Sequence, residues 1–284
     1  MIRRPRTWLL ASGACLVLLA LTGVLAYLVP IAHWHDSAAL QGFVALNEPQ
    51  RTALIDRVAH LADPVPYGLI GFALAAVAAG RGRPRVAVAI VAVLFLTGLT
   101  TQTLKPLLAQ PRYDEWLGGG QIAAASWPSG HATASMTLGL LAVLAVPARW
   151  RPTAAALGGM FAVAVSFAIL ALGWHFPSDV VGGYLVAGTW VALAGAALTA
   201  ASRRWPERPR PEQPAGPRDV LPAVGLAVAA LTGAVAVAAS RPRAVQDFAA
   251  EHTNFVFGAL TITVAATVLA VLATIAATRT RSAA

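Results

Sequence analysis

The sequence predicts an all-helical integral membrane protein, and three observations predict it. Charged residues make up only 12% of the 284-residue chain, about half the roughly 25% usual in soluble proteins. Hydrophobic residues reach 57% and mean hydropathy is +0.66, more apolar material than a soluble core of this size hides. The apolar residues also come in runs of about 20, the length that crosses a hydrocarbon core of roughly 30 Å at 1.5 Å per residue. This composition argues against a soluble enzyme and against a disordered chain. The single cysteine, Cys15, leaves no disulfide framework within the chain and no cysteine-based metal cluster.

The first run, Trp8 to Val29, follows Arg3, Arg4, Pro5 and Arg6. It is longer than the apolar region of a cleaved signal peptide, so it reads as an uncleaved signal anchor with Cys15 in its interior. Residues 38–62 mix apolar and polar positions around Pro49 and read as short helices lying on the outer surface. Further spans are expected at 66–80, 86–104, 132–147, 153–173, 180–200, 220–240 and 255–277, the first of these being short. Between the sixth and seventh spans, Arg203 to Arg218 carries prolines at 206, 209, 211, 214 and 217. That density forbids a helix interior and favours an extended linker. The resulting organisation is a six-span core over 1–201, a cytoplasmic Pro/Arg-rich linker over 202–219 and a two-span extension over 220–284.

Charge supports this alternation. With the N-terminus in the cytoplasm, 15 of the 21 basic residues lie in inside segments and nine of the twelve acids lie outside. The net is +12 inside and −3 outside, as the positive-inside rule requires. The overall charge of +9 is therefore topology, and no nucleic-acid partner is expected. Both termini are placed in the cytoplasm.

Three polar clusters then share the outer face: Lys105 to Arg112 after the third span, Trp127-Pro128-Ser129-Gly130-His131 opening the fourth, and Trp174-His175 to Asp179 between the fifth and sixth. Each alone has a plainer reading. Lys105 reads as a snorkelling side chain, Arg112 as a solvated loop charge, Ser129 as a helix cap, and Asp179 as an anion favoured in a first helical turn. Together they point to phosphate. N–H groups at a helix start cradle anions, Gly130 permits close backbone approach, and Lys105 and Arg112 supply positive charge. A histidine oriented by a carboxylate is an activated nucleophile, and a second histidine can serve as proton donor. No acidic cluster suggests a divalent metal. His33-Trp34-His35-Asp36 lacks distant partners for a metal site and reads as an aromatic belt at a span end. His60 and His252 read as surface residues, and Trp127 and Trp174 as belt residues or walls of a lipid-head pocket.

The clusters resemble the three signature motifs of the type 2 phosphatidic acid phosphatase and vanadium haloperoxidase superfamily. Lys105 and Arg112 match the first motif, with Tyr113 where the family has proline. Pro128 to His131 complete the second. His175 and Asp179 match the third, with Ala168 and Ile169 in the Ser-Arg positions. The resemblance implies a six-helix membrane phosphatase core, to which this chain adds two C-terminal spans. It implies that His175 attacks phosphorus to form a phosphohistidine, with Asp179 on its far nitrogen and His131 as proton donor. Lys105, Arg112, Ser129 and Gly130 would hold the phosphate oxygens, with no metal or cofactor. The missing arginine at 169 leaves three explanations: Arg241 or Arg243 reaches the site, the substrate needs less neutralisation, or activity is weak.

The expected function is thus a multi-pass cell-membrane lipid phosphatase with an extracytoplasmic site. Its substrate would be a lipid phosphomonoester or pyrophosphate, such as polyprenyl (undecaprenyl) pyrophosphate or a phosphatidate-like lipid. A lipid phosphotransferase of the same fold and a non-catalytic lipid-binding or transport protein are the alternatives. The near absence of polar residues at midplane disfavours a transporter.

Overall fold

The computed structural model describes residues 5–205 and 216–279. The linker residues 206–215, Arg3, Arg4 and Arg281 lie outside the described residues, and with them most of the expected linker. Among the described residues the chain has no strand. Its helices are α1 (Pro5–Leu28), α2 (Pro30–Ala45), α3 (Pro49–His60), α4 (Pro64–Gly80), α5 (Pro84–Leu107), α6 (Gly130–Ala145), α7 (Arg151–Ala171), α8 (Pro177–Arg204), α9 (Leu221–Ser240), α10 (Pro242–Glu251) and α11 (Thr253–Arg279). As described, nine of them have proline in the first or second position. There the missing N–H costs nothing and the fixed φ suits a helix start.

Each of the eight expected spans lies on a helix. Among the described residues six helices are long and apolar enough to cross a membrane, and a seventh span arises if α3 and α4, bent by 49°, count as one. The chain is a multi-pass membrane protein. Helix α6, with 16 residues, reaches only about 24 Å, but nearly all of it is buried among its neighbours. Gly139 on α6 and Gly158 on α7 bring those backbones together: a Cβ at Gly139 would sit 2.9 Å from the Gly158 backbone. Such close crossings are how small residues pack membrane helices. Helix α8 packs on α1, α5, α6 and α11. Polar bonds tie the bundle, with Tyr67 Oη 2.8 Å from Thr97 Oγ1, Trp190 Nε1 donating to Thr100 Oγ1 at 2.9 Å, and Tyr184 Oη 2.9 Å from Ser166 Oγ.

The region expected as surface helices over 38–62 differs. Its first helix starts at Pro30, and its buried face (Ser37, Ala39, Leu40, Gly42 and Phe43) packs on α1, α7, α8 and α11. Gly42 abuts Phe255 of α11. Helix α11 also packs on α6 and α7, whereas α9 buries none of its residues and lies against α7. Helix α10 was not foreseen.

The bundle has two chemically distinct ends. At one, arginines donate to carbonyls at or near helix C-termini: Arg81 to Ala145, Arg83 to Leu144 at 3.0 Å, Arg85 to Trp205 and Arg151 to Ala277 at 2.7 Å. Guanidinium groups there satisfy acceptors that a helix leaves without partners. The other end gathers Asp36, Asp63, Lys105, Arg112, Ser129, His131, His175 and Asp179.

Candidate active site

Local backbone chemistry delivers the first pair. Helix α7 ends in a left-handed turn at Gly173 (φ 69°). The Trp174 N–H donates to Ile169 O at 3.0 Å and the Gly173 N–H to Leu170 O at 2.9 Å. This double bond pattern closes a helix and reverses the chain, bringing His175 to the start of α8. Four residues on, one turn away, Asp179 Oδ2 accepts the Phe176 N–H at 3.0 Å and lies 3.3 Å from His175 Nδ1. With Nδ1–H held by the carboxylate, the lone pair is left on Nε2. Among the described residues no hydrogen bond engages Nε2.

Arg112 is buried rather than solvated. Its NH2 donates to Asp179 Oδ1 and to Ser126 Oγ at 2.7 Å. Its NH1 donates to Ser178 Oγ at 3.1 Å and lies 3.5 Å from Asp36 Oδ2. The guanidinium lies 4.1 Å from the centre of the Phe176 ring and 5.0 Å from that of Tyr27. Both terminal nitrogens are engaged by the chain's own side chains. A buried carboxylate is tolerated only when paired and hydrogen-bonded in this way.

Asp36 joins the same network from α2. Its Oδ1 accepts the Ser178 N–H at 2.8 Å and its Oδ2 accepts the Ser178 hydroxyl at 2.5 Å. Burial pushes the Asp36 carboxyl up to about 7, opposed by the Ser178 hydrogen bonds and Arg112. The sequence reading placed it in an aromatic belt. Trp34 is indeed exposed, and His35 Nδ1 lies 2.8 Å from Asn254 Oδ1. The signal that was available is an acid inside a largely apolar stretch, where only a partner justifies a charge.

Ser129 caps α6, its Oγ accepting the Ala132 N–H at 3.3 Å while its own N–H donates to Asp179 O at 2.9 Å. The start of α6 is thereby locked to α8. Gly183 permits the approach: a Cβ there would lie 2.7 Å from Ser129 O and 2.9 Å from Thr133 N. The Gly130 and His131 N–H groups meet no acceptor among the described residues, and the space a Gly130 side chain would take is open. His131 Nε2 lies 3.0 Å from Asp63 Oδ1, a partner that the sequence reading did not single out. Trp174 stands between His131 and His60, with ring centres 5.6 Å from each. Lys105, in the last turn of α5, has no hydrogen bond or ion pair among the described residues.

Lys105, Gly130 and His131 line a cavity of about 330 Å³ with Tyr67, Thr101, Gln102 and Thr133. A larger cavity of about 580 Å³ between α1, α2, α8 and α11 touches Asp36 and Ser178 but none of Lys105, His131 or His175. His175 lines neither cavity, and the smaller one brings Lys105 and His131 together. Ile169 is fully buried in the apolar core. Arg241 and Arg243 are exposed, and α10 packs on α9 and α11. No contact between either of them and the site residues is found among the described residues, so the first of the three explanations gains no support.

Compared with known proteins, residues 86–204 match the model of the PAP2 superfamily. No curated protein matches the chain. Among solved structures, the crystal structure of the first transmembrane PAP2 type phosphatidylglycerolphosphate phosphatase from Bacillus subtilis matches at 17% identity, covering 70% of this chain and 98% of that one, with a TM-score of 0.49.

Proposed function

From the PAP2-superfamily match over residues 86–204 we infer that the chain is a lipid phosphatase working through a phosphohistidine. The observation that carries this is the His175–Asp179 pair, with Nε2 of His175 left unengaged, at the same end of the bundle as His131, Lys105 and the open start of α6. In the proposed reaction His175 Nε2 attacks phosphorus, the bond to the leaving oxygen breaks, and His131 gives that oxygen a proton. Water then attacks the phosphohistidine, His131 takes a proton from it, and the P–N bond breaks to release phosphate. Lys105 and the Gly130 and His131 N–H groups neutralise the developing charge, while Arg112 fixes Asp179.

The clustering of arginines at the opposite end argues that this end faces away from the cytoplasm. A site at the bundle mouth suits an amphiphile with its tail in the bilayer and its phosphate at the interface, such as a polyprenyl pyrophosphate or a phosphatidate-like lipid. A phosphotransferase, whose phosphohistidine passes its group to another lipid or a sugar, is the second reading, for which Ile169 in place of the family's arginine leaves room.

The test is phosphate release from a polyprenyl pyrophosphate and from phosphatidate by purified protein in EDTA, beside His175→Ala. Loss of turnover on the order of 10³-fold or more is expected in the variant. No release by folded wild-type protein would move the reading to a transferase or a non-catalytic relative.

A further inference from the structure

We propose that Asp63 is a positioning residue for His131, giving the site a second histidine–carboxylate pair; this rests on the phosphatase reading above. Asp63 is the N-cap residue of α4, with β-region backbone (φ −61°, ψ 160°). An aspartate there ordinarily accepts an N–H of the first helical turn. Here the side chain makes no such bond. The backbone carbonyl alone takes the Tyr67 N–H at 2.9 Å, and Oδ1 instead lies 3.0 Å from His131 Nε2. A residue suited to a cap has turned away from its own helix to meet a ring on another.

The pairing assigns the two ring nitrogens. A carboxylate on Nε2 keeps that nitrogen protonated, so Nδ1, which no hydrogen bond engages among the described residues, exchanges the proton. When His175 Nε2 forms its bond to phosphorus and the P–O bond breaks, the Nδ1 proton goes to the leaving oxygen and neutral His131 remains held through Nε2–H. Water returns a proton to Nδ1 as its oxygen displaces His175.

The pair also answers an electrostatic problem. Burial above all, then His175 and Lys105, oppose a positive charge on His131, as does the start of α6. His60 stands beyond Trp174 and is paired with Asp56. Asp63 is the group in contact with His131 that favours the imidazolium a proton donor requires.

The experiment compares Asp63→Asn, Asp63→Ala and Asp63→Glu with wild type on an alkyl lipid phosphate and on 4-nitrophenyl phosphate, whose leaving oxygen needs no proton. Asp63→Asn should lower kcat/KM on the alkyl ester about 10- to 100-fold and on the aryl ester, whose departure needs no proton, by less than about threefold. It should also shift the alkaline limb of kcat/KM to lower pH, and Asp63→Glu should recover most of the loss. Equal losses on both esters with an unmoved limb would mean a structural role, and no loss on either would equally overturn the proposal. NMR titration of 15N-histidine-labelled protein in nanodiscs decides the matter even if wild type releases no phosphate, the outcome that would sink the phosphatase reading. The His131 midpoint should fall by about one pH unit in Asp63→Asn, and an unchanged midpoint refutes the pairing.

Discussion

Asp36 and Asp179 are two carboxylates served by one guanidinium, and the site's electrostatics follow from that ratio. Asp179 has the better share: Arg112 stands on one side, His175 and the Phe176 N–H on the other. Asp36 holds only Ser178 and the edge of Arg112, at 3.5 Å. With its carboxyl raised from 3.8 to about 7, the folded chain keeps a proton on Asp36 over a range in which the unfolded chain has released it. This group's contribution to stability is therefore complete below about pH 4 and is lost as pH rises through about 7, at up to about 1.4 kcal/mol per pH unit. Asp36→Asn, which keeps the shape without the titration, should flatten that slope. Denaturation of detergent-solubilised protein at about pH 5 and pH 8 checks it, and identical pH dependence in variant and wild type would count against a protonated Asp36.

At the scale of elements, the site is a meeting of helix ends, the starts of α4, α6 and α8 with the end of α5. The prolines at helix starts and the glycine turn at 173 are local signals, and the sequence shows where helices begin and end within a few residues. Where ends touch is set by glycines whose role depends on a neighbour. Gly183 is the clearest, because its face receives backbone atoms of Ser129 and Thr133, which have no rotamer with which to yield. Gly183→Ala should destabilise the fold by about 1–3 kcal/mol and reduce turnover by prising the start of α6 from Asp179. Gly225→Ala on α9, where a Cβ meets only open space, should leave both unchanged. Comparable effects from the two would separate Gly183 from the site.

The whole molecule is polarised, with helix-capping arginines at one end and the acid–histidine network at the other. Its orientation is testable because Cys15 is the only cysteine and is buried. On a Cys15→Ala background, a membrane-impermeant maleimide applied to intact cells should label Gly119→Cys, in the exposed loop before α6, and spare Gly216→Cys before α9. The reverse pattern would put the site on the cytoplasmic side. Helix α11 gives the C-terminal region a structural role as well, since it covers α2 and touches α6, α7 and α8, while α9 faces outward.

By itself the sequence determined the class of protein, the eight apolar segments, the charge asymmetry between their ends, and the His175–Asp179 pair. Each of these is local: hydropathy over about 20 residues, or a spacing of four along one helix turn. Only the tertiary structure decided the partners of the remaining charges. Asp36 meets Ser178 across 142 positions and Asp63 meets His131 across 68. A single acid near a span end reads the same in sequence whether water or a buried cation awaits it. It likewise took the fold to show that Arg112, expected among the phosphate-holding groups, is buried against Asp179, to seat Ile169 in the core, and to leave Arg241 and Arg243 exposed at the start of α10. Which helix ends converge depends on packing between distant segments, and no local pattern records that.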